Sequence, residues 1–186
     1  MYGLVNKAIE GMVREGYGES TWQRVKAEAG VDIEGFISNE PYPDEITYRL
    51  VAGASAVLAT PAEDILKAFG EYWVLNTGLK AYGPMMRAGG SDLKTFLLNL
   101  PHFHVRVQTL FPELEPPHFA CENVGNESLD LVYSTSRPAG LEPFVEGIVH
   151  GLARMFDTTA DIQLIRRRGE DGVDASVFHV RWNQTG

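Results

Sequence analysis

The sequence predicts an α+β protein: a helical N-terminal part packed on a C-terminal part that holds a four-stranded antiparallel sheet and helices. Three observations predict it. Apolar residues recur at helical spacing through the first two-thirds of the chain. After Pro112 the character changes, with Pro116-Pro117 breaking the chain ahead of short strand-like segments. The order from there is β-β-α-β-β, which favours an antiparallel sheet.

Each element has its own signal. Leu4, Ala8, Met12 and Val5, Ile9, Val13 predict a helix from residue 2 to about 15, ended by Gly16 and Gly18. A second runs from about Thr21 to Ala29 and stops at Gly30. A third starts after Pro43 and carries Ile46, Leu50, Val51, Ala54, Val57 and Leu58. Thr60-Pro61-Ala62-Glu63 reads as a capping box with proline at the first helical position. It opens a helix through Ile65, Leu66, Phe69, Tyr72 and Trp73 that ends near Gly78. A short helix follows around Pro84 to Ala88, and Ser91 caps another that runs towards Phe111. His118 to Val124 and Leu129 to Arg137 read as strands about a turn at Gly125-Asn126. A helix from about Leu141 to Phe156 precedes two last strands, Asp161 to Arg168 and Ala175 to Trp182, joined by a turn at Gly169 to Gly172.

The segment Pro101 to Thr109, PHFHVRVQT, fits two templates. Apolar residues at 103, 105 and 107 alternate as in a strand, which would put His102 and His104 on one face, as a metal pair needs. Leu93, Leu97, Leu100, His104, Val107 and Phe111 step by threes and fours as in a helix, where the two histidines point about 200° apart. The upstream helical pattern favours the helix, with a kink or break at Pro101, which has no N–H to donate.

The 186 residues fit one domain, with a helical sub-lobe over about 1–60 and a second sub-lobe over about 61–186. Apolar residues at 44% suffice for a core. The net charge of −9 argues against nucleic acid as a partner. A single cysteine, Cys121, excludes an internal disulfide and any zinc site built on a cysteine pair. No segment reaches the ~18 apolar residues of a membrane span, and MYGLVNKAIEGMV lacks the form of a secretory leader. A soluble, cytoplasmic protein with no membrane partner is expected. Asn126-Glu127-Ser128 and Asn183-Gln184-Thr185 match glycosylation sequons, which carry meaning only in a secreted chain.

His104 sits in an apolar stripe, where an imidazole must be satisfied by a hydrogen bond or a metal. On a strand, Tyr133, Thr135 and Arg137 would face one side, about 7 Å between neighbours. Two hydroxyls and a guanidinium so placed suit a pair of carboxylates, although alternating polar residues also make a solvated face. Cys121 reads as a small buried apolar residue. Gly147 and Gly151 lie one turn apart on a helix and permit close approach of another backbone or of a flat ligand.

Together these pieces resemble the haem nitric oxide/oxygen binding (H-NOX) domain family, related to the haem domain of soluble guanylate cyclase. The resemblance covers essentially the whole chain. It runs through Met1-Tyr2-Gly3-Leu4-Val5-Asn6, Pro61-Ala62-Glu63, Phe69-Gly70-Glu71-Tyr72-Trp73-Val74 and His104-Val105-Arg106-Val107. It continues in Phe111-Pro112-Glu113-Leu114, Pro116-Pro117, Tyr133 to Arg137, Gly140-Leu141, Pro143 and His150-Gly151-Leu152.

The resemblance implies a haem b between the two parts, with His104 as its proximal iron ligand, seven residues before Phe111 and thirteen before Pro117. It implies that Tyr133, Thr135 and Arg137 grip the haem propionates and that Pro117 presses on the porphyrin. Val5, Trp73, Leu100, Phe144, Gly147 and Ile148 would complete the pocket. Two departures stand out. Thr135 replaces a customary serine, and Arg137-Pro138-Ala139-Gly140 is one residue longer than usual, so that Ser134 or Ser136 could share the contact. Oxygen-binding members carry a distal tyrosine three residues before the glycine matching Gly147, and this chain has Phe144 there. The resemblance therefore implies a non-enzymatic sensor of nitric oxide that also takes carbon monoxide and holds oxygen weakly or not at all. Its signal would pass by release of His104 to a partner in trans, such as a histidine kinase or a cyclic-di-GMP enzyme. The alternatives are an oxygen sensor on the same fold and a non-haem metal enzyme using His102 and His104.

Overall fold

A computed structural model describes residues 1–183; the second sequon, which reaches Thr185, lies partly outside them. The chain forms α1 (Gly3–Tyr17), α2 (Glu19–Glu28), α3 (Asp44–Leu58) and α4 (Ala62–Tyr72), then a π-helical stretch (Trp73–Gly78) that leads into α5 (Leu79–Arg87). Next come α6 (Leu93–Leu110), β1 (His118–Glu122), β2 (Ser128–Ser134), α7 (Glu142–Met155), β3 (Thr159–Arg166) and β4 (Ser176–Asn183). The four strands form one antiparallel sheet in the order β1-β2-β4-β3. This is the expected α+β architecture. Among the described residues no helix is long and apolar enough to cross a membrane.

Two buried clusters hold the fold together. Ile9, Val13, Trp22, Val25 and Leu50 centre the helical one, which also takes in Ile65 and Phe69 of α4, past the expected boundary near residue 60. Phe96, Leu97, Leu129, Leu131, Leu152 and Phe178 centre the other, between α6, α7 and the sheet. Trp73 packs against both.

α6 is a helix through Pro101, with no strand between residues 101 and 109. Pro101 cannot donate to the Leu97 carbonyl one turn back. The Cys121 thiol of β1 donates to that oxygen instead, at 3.5 Å. Burial pushes this thiol up to about 11, so it stays protonated and serves as a donor.

Several local expectations are corrected. The cap of α6 is Asp92, not Ser91: its Oδ1 accepts from the Thr95 backbone N–H at 2.8 Å, while Ser91 donates to its other oxygen. The capping box at Thr60 does not form. Ala59 turns left-handed at φ 50° to end α3, and the Thr60 hydroxyl then donates back to the Leu58 carbonyl. Gly78 ends no helix, because the π stretch carries the chain on into α5. Only at Tyr82 (φ −132°, ψ 24°), two residues before Pro84, does the backbone leave helical geometry. β2 stops at Ser134, short of Thr135 and Arg137.

The Asp92 cap fixes where the helix bearing His104 begins. Asp92→Ala is expected to destabilise the fold by about 1 kcal/mol. The Thr95 backbone N–H, helped by the Thr95 and Ser91 hydroxyls and Lys94, holds the Asp92 carboxyl below its ordinary 3.8. A depressed carboxyl contributes stability above its unfolded value and loses it as pH falls through the folded one. In urea unfolding, the gap between wild type and Asp92→Ala should hold above about pH 5 and narrow in stronger acid.

Candidate functional site

Between the two buried clusters lies a cavity of about 280 Å³. A single buried water needs only ~10–15 Å³, so this is room for a ligand. Its walls are mainly apolar: Val5, Trp73, Leu100, Phe144 and Ile148 face it, together with Phe103, Pro117 and Phe119. A second, more polar cavity of about 580 Å³ is lined by Asp44, Glu45, Glu113, Ser136 and others. Met1, Tyr2, Tyr48, Leu114, Glu115 and Arg137 line both, so the second is the mouth of the first.

His104 reaches the cavity from α6. Its ring stacks on Phe119 with centroids 5.6 Å apart and planes 15° apart. Phe119 in turn lies beside Tyr133, its register partner across β1 and β2. The His104 Nδ1 is buried and has no hydrogen-bond partner. Burial, and to a lesser degree His118, holds the imidazole down to about 4. At neutral pH it is therefore uncharged and carries a free nitrogen lone pair, the form that binds metals. His102 is exposed on the same helix. The two do not converge, and among the described residues no group of three or more histidine, cysteine, aspartate or glutamate side chains could hold a metal ion.

Tyr133, Thr135 and Arg137 all line the cavity, as their spacing suggests. The means differs from a strand face. Tyr133 is the buried end of β2, and the other two stand on the loop beyond it. Burial and the nearby Glu142 carboxylate push the Tyr133 hydroxyl up to about 12, against the opposing pull of Arg168, Thr135 and Arg137. The Thr135 hydroxyl accepts from the Arg137 backbone N–H at 3.2 Å. The Arg137 guanidinium bonds Asp44 Oδ2 at 3.0 Å and the Glu115 carbonyl at 2.8 Å. Ser136 lines only the mouth, and Ser134 lines neither cavity.

What fixes that loop is a residue the sequence did not single out. Arg168, between β3 and β4, donates to the Thr135 carbonyl, and at 2.6 Å to the Arg137 carbonyl. Its own backbone N–H is held by Ser176 at 2.9 Å, and Ser176 donates to the buried Glu142 at 2.9 Å. Glu142 also accepts from the N–H of Gly140, whose φ of 105° suits glycine. This clasp ties the loop between β2 and α7 to the start of α7 and to the sheet. Nothing local marks Arg168, because its partners are backbone carbonyls more than thirty residues away.

One expected pocket residue lies elsewhere. Gly147 is absent from the walls, and a Cβ there would sit 2.0 Å from the Lys67 carbonyl oxygen of α4. It serves helix packing. Phe119, Tyr48, Thr77 and Tyr82 line the cavity without having been expected.

The chain matches the family described as Haem-NO-binding over residues 2–164. Among curated proteins it is 26% identical to soluble guanylate cyclase gcy-31 of Caenorhabditis elegans over 98% of this chain and 26% of that protein. It is 32% identical to soluble guanylate cyclase gcy-32 of the same organism, over 89% of this chain and 24% of that protein. The chain thus spans about a quarter of the length of these relatives. Among solved structures, the H-NOX protein of S. oneidensis in its Fe(II)NO ligation state superposes with a TM-score of 0.85 at 22% identity, covering 98% of this chain and 99% of that one. The Fe(II) unliganded H-NOX protein of K. algicida gives 0.84 at 21% identity, covering 99% and 97%. At these identities the likeness is one of fold.

Arg168→Ala removes two charged donors from the loop backbone, so it should cost about 1.5–3 kcal/mol. Backbone amide exchange at residues 135–140 should then rise at least roughly tenfold while β4 stays protected. Arg166→Ala, at an exposed neighbour, should leave exchange unchanged.

Proposed function

The chain belongs to the Haem-NO-binding family, whose members are haem-based gas sensors, and from that premise we propose that it holds a haem b on His104 and senses nitric oxide. One observation carries the reading: the only imidazole on the cavity wall among the described residues is neutral, and its Nδ1 is buried and unpartnered. The rest of the donor set fits a haem. The walls are apolar where a porphyrin would lie, and Arg137 stands at the mouth with Tyr133 and Thr135 beside it, where carboxylates would emerge.

In this proposal His104 ligates the iron, Tyr133, Thr135 and Arg137 hold the propionates, and Pro117 presses on the ring. A bound haem would be held by His104 and would supply an iron atom able to take up a diatomic gas. Val5, Trp73, Leu100, Phe144 and Ile148 keep water from the cavity. Phe144 packs on Phe69 at 5.0 Å and offers no hydrogen-bond donor. A strongly polarised ligand such as oxygen gains most from a donor, and nitric oxide or carbon monoxide gains least. The Phe144 wall therefore supports nitric oxide, with carbon monoxide also bound and oxygen weak or absent.

The proposed signal is release of His104. α6 is suited to carry it, because its two ends belong to different parts of the fold. Phe96 and Leu97 are buried with the sheet. Beyond the other end, Phe111 packs on Tyr2 at 5.0 Å, and the Glu113 N–H donates to the Tyr2 hydroxyl at 3.0 Å. A shift of α6 would thus bear on the N-terminal helices, a two-state element biased by the gas. We further propose a cytoplasmic sensor, not a catalyst, that acts in trans on a signalling protein such as a histidine kinase or a cyclic-di-GMP enzyme.

Purified protein should show a Soret band, kept by His102→Ala and lost by His104→Gly unless imidazole is supplied. With haem and nitric oxide added to both, the reduced wild type and imidazole-free His104→Gly should give the same band. Haem loss from His102→Ala but not from His104→Gly would overturn the ligand assignment. A spectrum of the reduced protein that changes stably in air, differs from that of the oxidised protein and reverts when oxygen is removed would overturn the preference for nitric oxide.

A further inference from the structure

Tyr48 is the polar residue at this site that the motifs leave unexplained. It lies on α3, away from the loop that carries Thr135 and Arg137. Its ring is half-buried, yet its hydroxyl oxygen is fully buried and has no hydrogen-bond partner. Such an arrangement costs about 1–3 kcal/mol and persists where something else is gained. Asp44 and Glu45 on the same helix are close enough to act on the hydroxyl electrostatically, and neither accepts its proton. Burial, with Asp44 and Glu45 assisting and Arg137 opposing, pushes the hydroxyl above its ordinary value. It is therefore a donor at any physiological pH.

Its position says what it is for. Tyr48 and Arg137 both line the apolar cavity and its polar mouth. Val5, Trp73, Phe144 and Ile148 line the cavity alone. Tyr48 thus stands where the cavity meets its mouth, with its hydroxyl buried and unpartnered. The mouth carries four carboxylates, Asp44, Glu45, Glu113 and Glu115. Arg137 spends its Nε on Asp44 and its Nη1 on the Glu115 carbonyl. An anionic group entering here meets a crowd of like charge and two cations already engaged, Arg137 and the Met1 α-amino group, which is held by Asp44 and the Tyr42 carbonyl, so a neutral donor free of competing acceptors has particular value.

We propose that the Tyr48 hydroxyl is a further donor to the anionic end of the cofactor, a haem propionate, supplied from the helical part opposite the Tyr133–Arg137 loop. The proposal rests on the haem reading above. It makes the cofactor's carboxylates a bridge between the two parts of the fold, with α3 on one side and the loop on the other.

The test compares wild type with Tyr48→Phe, both haem-free and haem-loaded. Haem-free Tyr48→Phe should melt at the same temperature or higher, because an unpartnered buried hydroxyl is removed. Loaded Tyr48→Phe should lose haem to a scavenging protein about ten- to a hundredfold faster, the factor for one hydrogen bond to a charged group. With haem esterified at both propionates the two proteins should release it at equal rates. A haem-free Tyr48→Phe that melts lower would show a structural hydroxyl and overturn the proposal. Equal release of ordinary haem, or a difference that survives esterification, would overturn it too. Those failures leave the haem reading standing, whereas wild-type protein that takes up no haem sinks both.

Discussion

The cavity exists because α4 and α7 meet backbone to backbone. A Cβ on Gly70 would lie 2.2 Å from the Phe144 carbonyl oxygen, and one on Gly147 would lie 2.0 Å from that of Lys67. No side chain fits between the helices at either point, and any larger residue would force them apart. Close axes bring the flanking large residues together at one seam. Phe69 packs on Phe144 at 5.0 Å and on Trp73 at 6.2 Å. Phe144 packs against the helical cluster, Ile148 against the sheet cluster and Trp73 against both. The wall of the cavity and the joint between the two parts are therefore the same set of atoms. The Lys67–Glu146 pair across the joint, at 3.0 Å, is partly exposed and adds little. Steric closeness sets the geometry, not charge.

A second tie crosses the mouth. Arg137 bonds Asp44 of α3, and Asp44 also receives the α-amino group of Met1. Behind Arg137, Arg168 and Glu142 hold the loop from the sheet side. A ligand that draws on Arg137 must therefore contend with a carboxylate of the helical part. Whatever fills the cavity touches both parts at its walls and again at its mouth. This is the physical content of a sensor on this fold: the two parts have few ways to move that leave the cavity unchanged.

Much of this was legible in the sequence, and what was missed has definite causes. The helix through His104 could be read because three- and four-residue steps over eighteen residues outweigh a short alternation. His104, Tyr133, Thr135 and Arg137 stood out by type and spacing and took their roles from the family resemblance, and each lines the cavity. The strand face imagined for the last three was wrong, since alternation persists in the sequence whether or not a strand does. Ser91 and Asp92 are both good caps, and only the backbone turn decides between them. A π stretch has no compositional mark, so Gly78 read as an end. Arg168 acts across long loops, and Tyr48 is marked only by its surroundings in space; single-sequence periodicity carries no such information.

The pattern of unpaired atoms gives the strongest internal argument for a ligand chamber. A cavity of about 280 Å³ with apolar walls is a standing cost. At ~24 cal/mol per Å³ of cavity the figure is about 7 kcal/mol at most, comparable with the 5–15 kcal/mol of a typical domain. Among the described residues the buried side-chain atoms without a partner are His104 Nδ1, the Tyr48 hydroxyl and Asn6 Nδ2. His104 and Tyr48 line the cavity, while Asn6 follows Val5, which does, and its other amide atom accepts from Thr47, another lining residue. Elsewhere among those residues the buried side-chain donors and acceptors are matched. Missing packing and missing hydrogen bonds thus fall at one place, and a fold that is otherwise satisfied concentrates them where binding returns the free energy.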